Sequence, residues 1–505
     1  MNNRYHVMEC KENEDIKIMA RSPIETWTYS SVAVLWDKPE VDKKISEYEV
    51  YVDGSLQVCC ETSSYTLENL QPQQIYSIQI RARLEEDIVI FSDEIVVTTK
   101  KMPKINNILD FGAVQGGEVL NTQMVQRAID LCGEGDCVYV PEGIFLTGAI
   151  YLKSNMTLFI EKGGKLLGSE NLVDYPLMKY RFEGLETECY ASLINTREAK
   201  RHANITIMGE GTIDASGSSL RKKELKEEAG KPGRAVCIRN TVGVYLKDIT
   251  IRQSPAWCLH TIYCKNVSLN HVQIHTKYDE AGEQYQGISN GDGFDPDSTS
   301  NVNVFQCMIA SQDDCIAIKS GRDAEGRSVG IPSEHIWIAD CEFNSGFGVA
   351  LGSEMSGDVR DVSITDCIFK EVYSLVTIKA PRGRGGIIEE VKVKSIKHTN
   401  YSLEHEDCKW FRGAINIDQF YGHEKFDDTN CKAISEQTAI IRNIYMEDIS
   451  METIAGNAIY IMGLPESPIR NIYLKNIVAK GKHGSVIRNV QNLNLDNVRI
   501  HTNME

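Results

Sequence analysis

The sequence predicts an all-β chain in which a small antiparallel β-sandwich precedes a long right-handed parallel β-helix. Two observations predict this. Short stretches that alternate apolar and polar residues recur through most of the 505 residues, and those near the N-terminus differ in character from those that follow. The later stretches resemble one another and have no helical partner between them. They therefore favour stacked coils of short strands over a leucine-rich horseshoe.

Residues 21–100 have the pattern of the sandwich. Runs of period two, separated by turn residues, occur at 31–36, 48–55, 76–83 and 94–99. Trp36 falls in the first run, and Tyr76 follows Leu70-Gln71-Pro72 in the manner of a tyrosine corner. The domain therefore resembles a fibronectin type III module, preceded by an N-terminal extension at 1–20. Nothing in this domain indicates a catalytic site. It could serve as a spacer or as a wall beside an active site, and both alternatives stay open.

Residues 105–505 carry the pattern of the β-helix, after a short linker at 100–104. A helical stretch at 121–132 is expected to cap the N-terminal end of the stack. Beyond it one theme recurs roughly every 20 to 35 residues, a polar residue followed by alternating apolar ones. The copies are 155–163, 204–213, 242–251, 266–274, 301–309, 335–343, 361–369, 441–449, 469–477 and 492–500. A large β-sandwich is the alternative, and the scarcity of hairpin turn signals between copies disfavours it.

Charge and composition limit the function classes. The net charge of −17 disfavours a nucleic-acid partner, because phosphate binding needs a basic face. No apolar run reaches the length of a membrane span, and no secretory signal is recognisable at the N-terminus. The 15 cysteines show no paired zinc spacing, so we expect buried thiols, as at Cys307, Cys315, Cys341 and Cys367. These features predict a cytoplasmic location.

Acidic residues stand at the start of two strand-like runs. Asp313 and Asp314 directly precede the apolar run 315–318, and Asp292 lies 21 residues earlier, which is about one coil. Residues one coil apart stack on neighbouring rungs roughly 4.8 Å apart. The sequence therefore predicts that the three carboxylates meet on one face of the β-helix.

Clustered carboxylates can divide the roles of acid and base. Mutual repulsion raises the pKa of one, which stays protonated, while the others stay ionised and can activate water. That equipment suits glycoside hydrolysis, and a diagonal separation of roughly 7–8 Å favours inversion over retention. Calcium binding or solvated turn residues are the alternatives. The occurrence of two such motifs one coil apart disfavours both.

The segment from 254 to 386 resembles the polygalacturonases, glycoside hydrolase family 28, and most of all their bacterial exo-acting members. The stretch 291–341 carries the strongest likeness, continued by 352–357 and 378–386. The resemblance implies a pectin-lyase-like solenoid and metal-free hydrolysis with inversion, without a cofactor. It assigns Asp313 as the general acid and Asp292 and Asp314 as the pair that activates water. Substrate binding falls to Lys379, whose flexible point charge suits a sugar carboxylate, and to Asn290.

Three positions depart from the family pattern. The family's Asn-Thr-Asp is here Asn290-Gly291-Asp292. Its Gly-His-Gly has Phe347 in place of histidine, and its Arg-Ile-Lys has Thr377 in place of arginine. Phe347 either stacks on an apolar sugar face or packs internally. Arg382 and Arg384 stand close enough in sequence to replace the missing guanidinium as substrate-binding residues.

We therefore expect an exo-acting, inverting hydrolase that releases galacturonic acid from pectic oligosaccharides. One alternative keeps the reaction and changes the substrate to rhamnogalacturonan-type or substituted pectin fragments. A uronide lyase is a second alternative, and a glycan-binding protein without catalysis is a third. The water-activating carboxylates disfavour both of these last two. Oligomeric state is left open by the sequence.

Overall fold

The structure is a computed structural model that describes residues 16–41, 43–197, 201–401, 410, 412–422, 426–427 and 429–502. The chain forms two compact units, which divide between Met102 and Pro103. Each unit has its own hydrophobic core. No helix in the described part of the chain is both long and apolar enough to span a membrane.

The front unit is a sandwich of two antiparallel sheets. One sheet contains Ala20–Arg21, Val32–Trp36 and Ser64–Leu67. The other contains Ile45–Val52, Ser55–Cys60, Ile75–Leu84, Val89–Phe91 and Ile95–Thr98, and short 3-10 turns lie at Ile24–Thr26 and Glu85–Asp87. Trp36 is fully buried in the core between the sheets. The Tyr76 hydroxyl accepts a hydrogen bond from the Gln71 amide over 2.9 Å, which is the predicted tyrosine corner.

The second unit is a parallel β-helix with three faces, named here A, B and C. Face A contains Ile105–Asn107, Asp136–Val140, Met156–Ile160, His202–Met208, Thr241–Lys247, Lys265–Asn270, Ser300–Phe305, Ser333–Ala339 and Val359–Thr365. Face B contains Gly143–Thr147, Gly164–Gly168, Thr212–Asp214, Thr250–Arg252, Gln273–His275, Met308–Ala310, Glu342–Ser345 and Ile368–Lys370. Face C contains Ile150–Leu152, Ile194–Thr196, Val236–Arg239, Leu259–Ile262, Phe294–Asp297, Ile316–Ile318, Val349–Leu351, Val376–Lys379 and Gly413–Asp418. Longer strands that bend from one face to the next complete the stack at Ile387–Asn400, Ile440–Met462, Ile469–Arg488 and Val490–Thr502.

The recurring polar residue of the sequence theme is a left-handed backbone position in face A. Asn204, Asn266, Asn301, Asn443 and Asn471 all have φ between 51° and 58°. Asparagine tolerates this conformation better than other residues that have a Cβ. Its side chains also bond from coil to coil, as between Asn443 and Asn471 over 2.7 Å. The theme therefore marks a repeated bend in the coil, at which asparagine amides bond between some neighbouring coils.

Aliphatic side chains fill the space between the faces. In face A one ladder runs through Ile205, Val244, Val267, Val302, Ile336, Val362, Val391, Ile444 and Ile472. The four cysteines named above are buried and unpaired, as expected. The helix predicted at 121–132 is observed as α1, Thr122–Asp130, and its Val125, Ala128 and Ile129 close the N-terminal end of this core.

Excursions from the coils surround the outward side of face C. After a 3-10 turn at Leu172–Asp174, Leu177–Phe182 and Leu185–Tyr190 form an antiparallel hairpin, here called the hairpin. Helices α2, Gly217–Glu227, and α3, Asp323–Val329, follow in later coils, and a further 3-10 turn lies at Ile108–Phe111. The sequence pattern predicted none of these excursions. They interrupt the repeat and carry no periodicity of their own.

Candidate active site

The three predicted carboxylates stand where two neighbouring strands of face C begin. Asp292 lies two residues before Phe294–Asp297, while Asp313 and Asp314 lie just before Ile316–Ile318. Asp292 and Asp314 are each 3% exposed, and Asp313 is half-buried. The aspartates therefore stand at strand entrances, where the backbone bends and both members of the Asp-Asp pair can turn toward the outward side.

Parallel pairing brings the two strand entrances onto adjacent coils. Phe294 pairs with Ile316, and the Gly293 amide donates to the Asp314 carbonyl oxygen over 2.9 Å. A Cβ on Gly293 would lie only 2.5 Å from the carbonyl oxygen of Cys315. Glycine next to Asp292 is thus required by the close approach of the two backbones.

Lys379 joins the cluster from a strand two coils further on. Its Nζ lies 2.7 Å from the Asp314 carboxylate and 5.2 Å from the centre of the Tyr421 ring. Lys379 is 3% exposed. Burial works against its charge, yet Asp314 holds the pKa of Lys379 above its ordinary value. The predicted substrate-binding lysine therefore belongs to the carboxylate cluster as a permanent cation.

Lys319, which directly follows the strand Ile316–Ile318, supplies a second buried cation. Its Nζ lies 3.4 Å from Asp292, 3.3 Å from Asp295 and 3.5 Å from Glu354. Sequence reasoning missed all of these residues except Asp292. The available signal was strand alternation, because Lys319 shares the outward side of face C with Asp295.

The carboxylates differ in their tendency to hold a proton. Burial raises the pKa of Asp313 to about 6, and the Asp314 carboxylate adds to the rise. Burial likewise raises the pKa of Asp292 well above its ordinary value and that of Asp295 to about 7. Glu354 differs: burial works against its charge, but Lys319, Arg384, Lys379 and a hydrogen bond from Ser353 together lower its pKa. A protonated acid and ionised neighbours thus coexist in one cluster.

The hairpin covers face C on the N-terminal side of these carboxylates. The Phe182 ring stacks on Trp257 with 5.0 Å between centroids, and both belong to a buried cluster with outward residues of face C. The Arg181 guanidinium donates to Asp297 over 2.7 Å and to Ser298 over 2.8 Å. Arg181 and Asp297 are both fully buried. Their ion pair fixes the hairpin across the sheet.

The tip of the hairpin reaches the opposite side of face C. The carbonyl oxygen of Gly184 accepts a hydrogen bond from the Arg322 amide over 3.1 Å, at the start of α3. The amide of Glu186 donates to Glu325 within α3 over 2.9 Å. The hairpin therefore crosses face C beside the coils that carry Asp292 and Asp313, with Arg181 bound to Asp297 in the first coil and the tip bound at α3 beyond the second.

The remaining residues predicted to bind substrate differ in how close they lie to the carboxylates and in how exposed they are. Phe347 lies beside the acid, because its amide donates to the Asp313 carbonyl oxygen over 3.0 Å, but its ring stacks on Tyr373 at 4.8 Å. Asn290 is exposed, with a left-handed backbone at φ 52°. Thr377, at the family's arginine position, is fully buried on the outward side of face C. It carries no charge that would replace the guanidinium.

The two arginines suggested as replacements each pair with an acid. Arg382 binds Glu466 through two contacts of 2.7 and 3.0 Å. Arg384 binds Asp323 at 2.7 Å and donates to the Ser353 carbonyl oxygen at 2.8 Å. Both guanidinium groups therefore brace the loops beside face C. Their role in binding substrate stays a prediction.

A divalent cation does not suit this cluster. Two ammonium groups already stand among its carboxylates, and like charges repel a metal ion. Among the described residues, the one set of three metal-ligating side chains whose ligand atoms converge within 4.8 Å is Glu47, Glu49 and Cys59, in the front unit. Together, the buried acids and lysines define a site that can donate one proton and accept another.

Comparison with known proteins assigns the chain to a family. The model of the family described as "Glycosyl hydrolases family 28" matches residues 181–499, which is more than half of the chain. The chain belongs to that family and is a glycosidase. A second model, "Fibronectin type III domain", matches residues 23–97 in the front unit. The predicted family, the β-helix and the sandwich are thereby confirmed.

Two relatives are similar over about two thirds or more of their length. A probable polygalacturonase of Vitis vinifera is 28% identical over 386 residues, covering 74% of this chain and 73% of the relative. An exo-poly-alpha-D-galacturonosidase of Dickeya chrysanthemi is 28% identical over 426 residues, covering 67% and 68%. The chain is thus a glycosidase of the polygalacturonase type.

Solved structures share the fold. A family 28 exopolygalacturonase of Yersinia enterocolitica has a TM-score of 0.73 at 21% identity and covers 96% of this chain and 100% of its own. A hyperthermoactive exopolygalacturonase of Thermotoga maritima has a TM-score of 0.64 at 25% identity, covering 77% and 92%. These similarities confirm the right-handed parallel β-helix predicted from the repeat.

Proposed function

We propose that the protein is an exo-acting, inverting hydrolase that removes galacturonic acid from the ends of pectic oligogalacturonides. The observation that carries exo action is the hairpin at Leu177–Tyr190. It crosses the outward side of face C beside the carboxylates, where Arg181 binds Asp297 in the strand that follows Asp292 and the Glu186 amide donates to Glu325 in α3. A polymer cannot extend past the carboxylates in that direction, so only a chain end fits.

Galacturonides are the proposed substrate because both the relatives and the site fit them. The two relatives named above are called polygalacturonase and exo-galacturonosidase. A uronide brings a carboxylate, which needs a local cation in a chain of net charge −17. Lys379 supplies that cation, and substrate binding would share its ammonium between Asp314 and the sugar carboxylate.

Inversion is proposed from the positions of the carboxylates. Asp313 serves as the general acid that protonates the leaving oxygen, since its pKa is raised to about 6. Asp292 and Asp314 activate a water molecule on the opposite side of the sugar ring. Acids on adjacent coils leave room for that water, as inverting glycosidases require.

The experiment is an end-product assay with purified protein. Digalacturonate, trigalacturonate and longer oligogalacturonides are incubated in parallel, and products are separated by chromatography. Monogalacturonate should be the sole small product from the earliest time points. NMR during the reaction should show the β-anomer first, because inversion of an α linkage gives a β product.

Other outcomes would identify other activities. A spread of intermediate oligomers would contradict exo action, and initial release of the α-anomer would contradict inversion. Activity confined to rhamnogalacturonan oligosaccharides would mean that Thr377 and Phe347 mark a changed specificity. An unsaturated product that absorbs in the ultraviolet would indicate a lyase.

A further inference from the structure

The surroundings of Asp292 oppose the negative charge that its proposed role requires. As a water-activating base it must be ionised while Asp313 is still protonated. Yet it is 3% exposed and stands near three other acids, Asp295, Asp313 and Asp314, whose charges disfavour its own. An ionised Asp292 therefore needs a nearby cation that is not already paired with one other acid.

Lys319 meets that need by its position. Its Nζ lies between Asp292 and Asp295, 3.4 and 3.3 Å away, and 3.5 Å from Glu354 on the following coil. The Trp257 ring centre, on the coil before Asp292, is 4.7 Å from the same nitrogen. Lys319 is thus enclosed by side chains from three coils, and its 4% exposure gives water little access.

The backbone holds Lys319 firmly at this point. Its amide donates to the Pro296 carbonyl oxygen over 2.9 Å, and its carbonyl oxygen accepts from Ser298 over 2.8 Å and from the Ser333 hydroxyl over 2.7 Å. The coil therefore fixes the backbone of Lys319, while the three acids and the Trp257 ring hold its ammonium. Such a cation is a preorganised partner rather than a flexible one.

The other cations near Asp292 are paired with other acids, so Lys319 is its partner. Arg181 is paired with Asp297, and Lys379 is paired with Asp314. His260, which pairs with Asp295 from the preceding strand of face C and lies 3.5 Å from Asp297, is neutral, because burial lowers its pKa to about 3. Lys319 thus faces Asp292, Asp295 and Glu354 as one cation among three acids. Because burial raises the pKa of Asp295 to about 7 and that of Asp292 well above its ordinary value, one of these two acids carries a proton at neutral pH.

We propose that Lys319 is a positioning residue that orients Asp292 and keeps it ionised for water activation, while Asp295 beside it holds a proton. This inference rests on the proposed hydrolase function. Lys319 touches neither the sugar nor the water. It acts through Asp292, and Glu354 competes with Asp292 for the same ammonium.

The kinetic test uses variants that change the charge in opposite directions. Lys319→Met should lower kcat at least tenfold and move the acid limb of the pH profile upward by roughly one to three units. Glu354→Gln should move that limb downward, because Asp292 then shares the ammonium with one acid fewer. Lys319→Arg should lie between wild type and Lys319→Met. Lys370→Met, which removes an exposed partner of Glu342, is the control.

A melting experiment tests the same charge without substrate. In Lys319→Met the buried acids lose their cation, so their ionisation costs stability that wild type retains. The difference in Tm between wild type and Lys319→Met should therefore grow as pH rises from 5 to 8. The Lys370→Met control should show a difference that does not depend on pH.

The two experiments separate the proposals. An inactive wild-type protein would end the proposed function, while the melting series would still decide whether Lys319 supports the ionisation of the buried acids. An active protein whose acid limb is the same in wild type, Lys319→Met and Glu354→Gln would overturn the role of Lys319. So would a Tm difference that is constant with pH.

Discussion

At the scale of single residues, the proposed mechanism makes turnover depend on Asp313. Asp313→Asn removes the transferable proton but keeps the shape of the side chain. We expect kcat to fall by about 10²–10⁴-fold, the usual contribution of general acid catalysis, with Tm nearly unchanged. Asp496→Asn, on an exposed strand, is the matched control. Wild-type turnover in Asp313→Asn would rule out its assignment as the acid.

The pH profile should reflect the same residue. Because the pKa of Asp313 is raised to about 6, the acid is protonated below that pH and loses its proton above it. We expect kcat/KM on trigalacturonate to decline as pH rises through about 6. A profile that stays flat to pH 8 would show that another group donates the proton.

At the scale of elements, the asparagines at the repeated left-handed bend of the coils explain why the repeat can be recognised in the sequence. Asn443 has φ 58° and bonds to Asn471. Asn443→Ala loses that bond and puts alanine, which tolerates the left-handed region less well than asparagine, at this φ, at a cost of roughly 1–2 kcal/mol in the free energy of unfolding. Asn443→Gly loses the bond but avoids the steric cost, so it should be the more stable variant in denaturant titrations. Equal stability of the two would contradict the backbone argument.

Residues inside the repeat could be predicted, whereas residues in the excursions could not. The Asp-Asp pair was predictable because it stands beside a strand with a readable period, one coil from Asp292. Lys319 obeys the same alternation, but its function depends on Glu354 from the next coil, a contact that spacing alone does not reveal. Arg181 lies 116 residues from its partner Asp297, on a hairpin with no repeat pattern. The contact between Arg181 and Asp297 depends on how the coils stack, which the sequence pattern does not give.

At the scale of the whole molecule, the two units raise the question of what the sandwich contributes. Each has a separate core, and the proposed catalytic residues all lie after Pro103. We expect a chain of residues 103–505 to keep kcat/KM on trigalacturonate within about twofold of the full chain, because its core is self-contained. A loss greater than tenfold, with an unchanged melting profile for the β-helix, would instead make the sandwich a wall of the active site.

In the proposed exo reaction, the hairpin would also set the order in which the products leave. A sugar cut from the chain end lies between the hairpin and the rest of the oligomer, so it cannot depart before that oligomer does. Successive cuts on one chain would then require complete dissociation each time. The enzyme should work distributively, shortening all chains in a mixture at a similar pace, and accumulated monosaccharide should slow it by competing for the closed end.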